Sequence, residues 1–141
     1  MKSNNTYPTN WYYGTIQNLV DQNIVDKPLD GNHGNIHPKS SDFVESGIPF
    51  IMANDIVNEK VKLSKCHFIL FLQAEKLQKG FSKPGDVLLT HKGSVGNTAI
   101  VPKIDTQYIM LSPQVTYYRV IKKEKINNYY LFQFFQSNKF Q

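Results

Sequence analysis

One segment of the chain strongly limits what it can fold into. Residues 81–102 read FSKPGDVLLTHKGSVGNTAIVP, in which two short apolar runs flank a seven-residue polar loop. Pro84 and Gly85 fit the central positions of a type II turn, because proline fixes the first φ angle and glycine accepts the positive second one. The apolar runs predict strands over residues 87–90 and 98–101. The segment therefore predicts a turn followed by a two-stranded hairpin.

The loop of this hairpin contains two glycines, Gly93 and Gly96, which allow positive φ angles and bring backbone N–H groups close to another surface. Lys92, Ser94 and Asn97 add side-chain donors suited to phosphate oxygens. A tight hairpin that needs glycine only for its turn geometry explains the loop equally well. A nucleotide-binding P-loop is excluded, because the glycine-lysine spacing is wrong and a strand follows where a helix is required. Ser94 is not a nucleophile elbow, because Lys92 stands where that motif needs glycine.

Three short helices are predicted outside the hairpin. Residues 11–20 and the C-terminal residues 127–141 carry apolar side chains at helical spacing, and residues 72–79 are rich in strong helix formers. The caps and the apolar stripes of these helices are Thr15 with Ile16, Leu19 and Val20; Gly80 after Leu72 and Leu77; and Asn128 with Leu131, Phe134 and Phe135.

The remaining segments are strands and loops. Residues 26–43, DKPLDGNHGNIHPKSSDF, are rich in glycine, proline and short polar side chains and predict a long surface loop, which usually serves a function. Residues 50–52 predict a strand that turns at Asn54 and Asp55, and residues 115–120 alternate with a period of two, which predicts another strand. These elements predict an α+β domain with a small mixed or antiparallel β-sheet, short helices and long loops.

Length and composition predict one domain over residues 1–141, since 40% hydrophobic residues suffice for a single core. The net charge of +5 suits a polyanionic partner, although solvated surface lysines explain it as well. Cys66 is the only cysteine, which excludes an intrachain disulfide and favours a reducing compartment. The N-terminus has no signal-peptide core, and the longest apolar run, residues 68–72, is too short to span a bilayer. We therefore expect a cytoplasmic protein without a membrane role.

No catalytic or metal-binding motif is found in the sequence. His33 and His37 are four residues apart, but Gly34 and Pro38 oppose a helix that would place both rings on one face, so a zinc site is not predicted. None of the eleven acidic residues has a lysine two positions later, as acid-x-Lys nucleases require. A methyltransferase tetrapeptide and a cofactor loop are also missing. We therefore predict no catalytic residue, no metal and no cofactor, and a hydrolase using Asp30 with His33 remains an alternative.

Five blocks of the sequence together resemble a known family. They are DGNHG (30–34), GIPFIMANDI (47–56), KLQKGFSKPGDVLLTHKGSVGNTAIVP (76–102), LSPQVTYYRV (111–120) and NNYYLFQFFQSNKFQ (127–141). Their order and spacing resemble a target recognition domain of the DNA-specificity subunits of type I restriction-modification systems along nearly the whole chain. The most specific block is GDVLLT-x-x-G-x-x-G.

The resemblance implies a role without a reaction. Such a subunit reads one half of a bipartite site in double-stranded DNA with each recognition domain, and it positions DNA methyltransferase and restriction subunits. A full subunit has two recognition domains separated by long helices, whereas this chain has one. Residues 127–141 would then lead toward the first long helix, and we expect most partner contacts to lie in regions that this chain largely lacks. A protein-protein interaction module without DNA binding is the alternative function.

The resemblance also divides the expected site residues. Because the GDVLLT block recurs in domains that read different sequences, it cannot carry base identity, and its polar residues are expected to contact phosphates. Base readers are expected in the unmatched segments 35–46, 57–66 and 103–110, where amide and cationic side chains suit purine edges. The predicted phosphate contacts are Lys92, Ser94, Asn97 and Arg119. The predicted base readers are Asn35, His37, Lys39, Ser40, Asn58, Lys60 and Lys62. Surface solubility is the competing explanation for each of them, and we expect a few of them to be true contacts. The predicted structural turns contain Gly31, Gly34, Pro84, Gly85, Gly93 and Gly96.

Overall fold

The computed structural model describes residues 8–11, 13–137 and 140. Within these residues it has ten strands and three α-helices. The strands are β1 (Leu29–Asp30), β2 (Ile48–Ile51), β3 (Ile56–Val57), β4 (Lys60–Val61), β5 (His67–Ile69), β6 (Phe81–Ser82), β7 (Val87–Thr90), β8 (Thr98–Ile100), β9 (Ile109–Leu111) and β10 (Val115–Tyr118). The helices are α1 (Ile16–Asp21), α2 (Phe71–Ala74) and α3 (Asn128–Gln136), and short 3-10 turns cover Gly34–Ile36, Ser40–Asp42 and Ala53–Asp55.

Two four-stranded sheets and one small hairpin make up the β-structure. The first sheet has the order β1-β10-β7-β8 and is antiparallel throughout. The second has the order β5-β2-β9-β6, and it is mixed because β2 runs parallel to β9. Strands β3 and β4 pair only with each other. The predicted α+β class with mixed and antiparallel sheets is confirmed.

The main core lies between the two sheets and explains why β7 reads as a continuous apolar run. Leu88 points into this core with Ile109, Leu111 and Val115. Alternation along the strand sends its neighbours Val87 and Leu89 to the opposite face, where α3 covers them. A strand buried on both faces carries apolar residues at every position. All four residues of β7 are accordingly buried.

A second apolar cluster covers the outer face of the mixed sheet. Phe50 of β2 and Met110 of β9 pack there with Ala74 of α2 and with Leu77, which follows that helix. The domain is thus layered: α3 lies on one sheet, the two sheets pack on each other, and α2 with its flanking segments lies on the other sheet.

Several local predictions are confirmed. Strand β7 has the predicted bounds, while β8 ends one residue early at Ile100 and β10 ends at Tyr118. The backbone N–H of Asp86 donates to the carbonyl of Lys83 over 3.1 Å, and Gly85 has a φ of 91°, as the predicted type II turn requires. The Thr15 side chain accepts a hydrogen bond from the N–H of Asn18, which confirms it as the cap of α1.

The predicted helix over residues 72–79 is wrong in extent, because α2 ends at Ala74. The backbone N–H groups of Gln78 and Lys79 donate to the buried side chain of Asn32 and are therefore unavailable to a helix. Leu72 is 72% exposed, whereas Leu77 is buried. A tertiary hydrogen bond has here outweighed a strong local helix propensity.

The other two helices also differ from the sequence prediction. The cap of α3 is Asn127, whose side chain accepts from the N–H of Tyr129, and not Asn128. Its buried side chains are Leu131, Phe132 and Phe135, so Phe134 does not belong to the buried stripe. Helix α1 begins only at Ile16. The predicted helical positions 12, 138, 139 and 141 lie outside the described residues.

The predicted surface loop over residues 26–43 is not entirely a loop, because it contains a strand. Strand β1 pairs with β10, and Gly31 and Asn32 after it are buried. The predicted strand over residues 50–52 lies instead at Ile48–Ile51, and it includes Pro49.

Among the described residues, no helix is both long enough and apolar enough to span a bilayer.

Candidate nucleic-acid interface

The loop between β7 and β8, residues 91–97, is held in one shape by Thr90. This buried side chain accepts a hydrogen bond from the N–H of Asn97 over 2.9 Å and donates to the carbonyl of Ser94. Its backbone carbonyl accepts from Gly96, and its N–H donates to the carbonyl of Asn97, each over 2.9 Å. The loop therefore has a fixed backbone although most of its side chains are exposed.

The two glycines of this loop have the predicted backbone conformation. Gly93 has a φ of 73° and Gly96 a φ of 88°, a region that residues with a side chain rarely adopt. Lys92, Ser94 and Asn97 are all exposed. Their donors thus stand in solvent on a rigid support, which is the arrangement expected of phosphate contacts.

Replacing Gly96 by valine is expected to destabilise the fold by about 1–2 kcal/mol, because a β-branched side chain tolerates positive φ badly. Denaturant unfolding followed by circular dichroism measures this loss. The control is Val95→Ala, since Val95 is exposed in the same loop and should leave the free energy of unfolding unchanged. Equal stability of the Gly96→Val variant and the wild type would contradict the role of this backbone conformation.

Two distant segments pack beside the loop. A methyl group added at Gly93 would lie 3.4 Å from Nε2 of Gln114 and 3.6 Å from Cβ of Ala53. Oε1 of Gln114 accepts from the N–H of Ala53 over 3.2 Å, and the N–H of His91 donates to the Gln114 carbonyl over 3.0 Å. The turn at residues 53–55 and the segment 112–114 therefore meet the loop at one end of the sandwich, which we call the loop end.

The carboxylate of Asp30 connects further segments to the loop end. It lies 2.5 Å from Nζ of Lys79, 3.0 Å from Nε2 of His33 and 3.9 Å from Nε2 of His91. Burial alone raises the pKa of Asp30, but hydrogen bonds from Lys79 and His33 outweigh it, so the pKa lies below its ordinary value. We call these four side chains the Asp30 cluster. They give Asp30 and His33 a structural explanation that requires no hydrolase chemistry.

The sequence reasoning missed Asn32, which is the most connected polar residue of this region. It is 1% exposed. Its Oδ1 accepts from the N–H groups of Gln78 and Lys79 over 2.9 and 3.2 Å, and its Nδ2 donates to the Lys79 carbonyl over 2.8 Å. The amide thus forms hydrogen bonds with three backbone groups of the segment that follows α2, and its own buried polar atoms are satisfied. Its position inside the DGNHG block was the available signal.

Arg119 was predicted to contact phosphate, but its donors are used inside the domain. Nε and Nη2 each lie 2.9 Å from the carboxylate oxygens of buried Asp86, and Nη2 also donates to the Phe81 carbonyl over 3.0 Å. The guanidinium lies 4.7 Å from the ring centroid of Tyr117. Hydrogen bonding to Asp86 raises the pKa of Arg119 above its ordinary value. We assign Arg119 to the fold and leave it out of the interface.

The first group of predicted base readers lies close to the loop end. Gly34, with a φ of 73°, follows His33 of the Asp30 cluster, and the chain then forms two 3-10 turns. An open groove separates these turns from the α2 segment; we call it the α2 groove. Asn35, Lys39 and Ser40 are exposed here, whereas His37 is only partly exposed. The groove is lined by Asn35, Ile36, His37, Lys39, Ser41, Asp42, Gln73, Lys76 and Leu77.

The second group of predicted base readers, Asn58, Lys60 and Lys62, is distributed between the tip and the base of the β3-β4 hairpin. The N–H of Lys62 donates to the carbonyl of Asp55 over 2.8 Å, which places Lys62 at the base of the hairpin near the loop end. At its tip, Asn58 and Glu59 have φ angles of 52° and 63°. Two consecutive positive φ angles define a type I′ turn, for which asparagine is a preferred residue. The type of residue at position 58 is therefore explained by the turn alone.

The tip of this hairpin lies at the other end of the sandwich. Glu59 lines an open surface depression together with Gly85, Val101 and Lys103, which flank the start of β7 and the end of β8. The loop at residues 91–97 joins the opposite ends of the same two strands. Four strand residues span roughly 13 Å, so the hairpin tip at Asn58 and Glu59 is separated from the loop end by about that length.

The remaining candidate chemistry was the single thiol and the histidines. Burial raises the pKa of the Cys66 thiol to about 11, the nearby Asp55 carboxylate adds to the shift, and Sγ donates to the Leu63 carbonyl over 3.4 Å. Such a thiol is not a reactive thiolate at neutral pH. In residues 8–11, 13–137 and 140, no group of three or more His, Cys, Asp or Glu side chains is placed to hold a metal ion.

Comparison with known proteins identifies the fold. No family model matches the sequence, and no curated protein matches it. Solved structures do match. One is a chain from a structure concerned with complex assembly and conformational transition of the type I R-M system, at a TM-score of 0.67 and 16% identity. Another is the HsdS subunit from Thermoanaerobacter tengcongensis, at a TM-score of 0.65 and 16% identity.

Both alignments cover 95% of this chain and 29% of the longer chain. This chain therefore has the fold of one part of each neighbour. At this level of identity the likeness concerns the fold, and it confirms the fold that the sequence resemblance predicted.

Proposed function

We propose that this chain is a target recognition domain of a type I restriction-modification specificity subunit, which binds one half of a bipartite site in double-stranded DNA. The shared fold with parts of type I restriction-modification chains supports this proposal. So does the order of the five sequence blocks. In a complete complex, the domain would position DNA methyltransferase and restriction subunits through regions beyond those described for this chain.

The observation that carries the proposal is the meeting of separate blocks at the loop end. The glycine loop at residues 91–97, the turn at residues 53–55 and the segment 112–114 contact one another there. The Asp30 cluster adds residues 30–33 and Lys79. These segments are far apart in the sequence and each belongs to a block of the family resemblance, so their common position marks a shared surface.

Charge at the loop end suits a phosphate backbone. Lys92 is exposed on the rigid loop, and Ser94 and Asn97 beside it are exposed neutral donors. Lysine and neutral donors of this kind make most of the sequence-independent contacts in protein-DNA complexes. The chain as a whole carries a net charge of +5, which favours association with a polyanion.

The proposed role requires no reaction within the domain. Asp30 and His33 are the pair named in the alternative hydrolase hypothesis. They are hydrogen-bonded to each other, and Asp30 is also bound by Lys79. Methylation and cleavage would belong to the partner subunits.

Binding of the purified chain to duplex DNA is expected to weaken steeply with salt, because each neutralised phosphate releases counterions. Three neutralised phosphates correspond to a slope of about −2.7 in log affinity against log salt, or about a 40-fold loss between about 50 and 200 mM. Fluorescence anisotropy with a labelled duplex measures this dependence. Affinity that does not change with ionic strength would contradict the proposal, and the absence of any DNA binding would favour the protein-protein interaction module.

The variant Lys92→Ala is expected to weaken binding to all duplex sequences alike and to reduce the salt slope by about one unit, since one phosphate contact is lost. Its stability should equal that of the wild type, because the side chain is exposed. The matched control is Lys103→Ala, which removes an exposed lysine at the opposite end of the β7-β8 hairpin and should leave the slope unchanged. A changed base preference in Lys92→Ala would contradict the phosphate role.

A further inference from the structure

The α2 groove lies beside the loop end, and the Asp30 cluster connects the two. Nε2 of His33 lies 3.0 Å from the Asp30 carboxylate, which accepts the hydrogen bond, and Asn35 follows His33 by two residues. Lys79 binds the same carboxylate at 2.5 Å, and Lys76 precedes it by three residues. Asp30 lies 3.9 Å from His91, the neighbour of Lys92. Both walls of the groove are thus tied to the one carboxylate that also adjoins the phosphate-binding loop.

The groove is lined by hydrogen-bond donors, by the Asp42 carboxylate and by two aliphatic side chains. Asn35 and Lys39 are exposed on one side, and Lys76 is exposed on the other. Ile36 and Leu77 line the space between them. Amide and ammonium groups are the side chains that address adenine and guanine edges in the major groove. Lys76 is the first residue of the 76–102 block and precedes its GDVLLT part, whose polar residues are assigned to phosphates, by nine residues. It was not among the residues predicted from the sequence.

The wall formed by residues 35–42 has a defined shape. The backbone N–H of Lys39 donates to the Asp42 carboxylate over 2.8 Å. This hydrogen bond, and to a smaller extent one from the Gln73 side chain, lowers the pKa of Asp42. The Gln73 contact connects the wall to α2. The ring centroid of His37 lies 5.8 Å from that of Phe50, and Nδ1 of His37 is buried without a hydrogen-bond partner among the described residues. His37 therefore packs against the sheet below and supports the wall.

The hairpin tip, which holds the competing base readers, lacks this connection. Asn58 is explained by its type I′ turn, which lies about the length of β7 away from the loop end, and Lys60 lies in β4 beside that turn. Phosphate contacts set the register of the protein on the duplex, so side chains close to the phosphate-binding loop are the favoured base readers.

We propose that the α2 groove is the base-reading surface of the domain, and that Lys76 of its α2 wall, together with Asn35 and Lys39, contacts purine edges next to the phosphates held by the loop at residues 91–97. The proposal rests on the DNA-binding function proposed above. It assigns the hairpin tip, with Asn58 and Lys60, to the fold.

The experiment selects preferred duplexes from a library with a randomised central segment, using the purified full chain at low salt. The wild type, Asn35→Ala, Lys76→Ala and the control Lys60→Ala are compared by anisotropy on the preferred duplex and its single-base variants. Each variant is first shown to unfold like the wild type. Lys76→Ala and Asn35→Ala are each expected to lose discrimination by about 5- to 150-fold at one or two purine positions. Lys60→Ala should keep every preference.

The possible outcomes separate the two proposals. A wild-type chain that binds no duplex overturns both the DNA-binding function and the groove assignment. Salt-dependent binding in which Lys60→Ala alters base preference, while Lys76→Ala and Asn35→Ala do not, overturns the groove assignment alone. Uniform weakening across all base variants in Lys76→Ala assigns that lysine to a phosphate, which likewise overturns its base-reading role.

Discussion

Replacing Asp86 by alanine is expected to lower the free energy of unfolding by about 3–5 kcal/mol, the usual loss when one partner of a buried ion pair is removed. The Asp86 carboxylate is 2% exposed. It accepts hydrogen bonds from Nε and Nη2 of Arg119, from Oγ of Ser82 and from the N–H of Lys83, over 2.8–2.9 Å. Its removal leaves a partly buried guanidinium without a counterion and two further donors without an acceptor. Urea unfolding monitored by circular dichroism gives the loss.

The control for this prediction is the double variant Asp86→Ala with Arg119→Met. Because the second change removes the charge left unpaired by the first, the double variant should be more stable than the sum of the two single losses predicts. Strictly additive losses, or a loss below about 1 kcal/mol in Asp86→Ala, would contradict the structural role assigned to this pair. The Arg119→Met variant should in addition leave the salt slope of DNA binding unchanged, since we exclude Arg119 from the interface.

Replacing Gly31 by alanine is expected to destabilise the domain by about 3 kcal/mol, because no space exists for a methyl group. An added Cβ would lie 1.9 Å from the carbonyl oxygen of Leu111 and 2.4 Å from the carbonyl carbon of Ser112. Both are backbone atoms, and they cannot move away as a side chain can. The N–H of Gly31 also donates to the Ser112 carbonyl over 3.1 Å. A shift of the Gly31 backbone would therefore weaken that bond as well.

The matched control is Gly34→Ala in the same DGNHG block. Gly34 has a φ of 73° but open space around it, so alanine there meets only the conformational penalty of about 1 kcal/mol. Thermal unfolding of both variants separates steric exclusion from backbone strain. If Gly34→Ala proves the more damaging change, the close approach of Gly31 to β9 and the residues after it is not what requires glycine at that position.

Features that depend on neighbouring residues were predictable from the sequence. The turn at Pro84 and Gly85, strand β7, the Thr15 cap and the positive φ angles of Gly93 and Gly96 all appear in the structure. In each case the residue itself restricts or widens the allowed backbone angles, its side chain caps a nearby N–H group, or a run of three apolar residues gives a clear pattern. Those preferences act within a few residues and require no knowledge of the rest of the chain.

Most of the short strands could not be predicted, because two or three residues show no detectable period. Strands β1, β5, β6 and β9 are of this kind, and their hydrogen bonds come from partners far along the chain. The burial pattern of α3 was ambiguous for a related reason. Aromatic side chains lie around most of this helix, and only its packing on β7 decides that Phe132 is buried and Phe134 is not.

The candidate site also has some features that are set by the local sequence and others that are set by tertiary contacts. The sequence by itself determined the conformation of the loop at residues 91–97 and, through the family resemblance, which segments hold the matched blocks. Only the tertiary structure decided that Asn32 bonds Gln78 and Lys79, that Arg119 pairs with Asp86 33 residues away, and that the α2 groove adjoins the loop while the hairpin tip does not. The physical reason is that backbone angles are set by local sterics, whereas the partner of a buried polar group is set by whichever distant segment the packed sheets bring beside it.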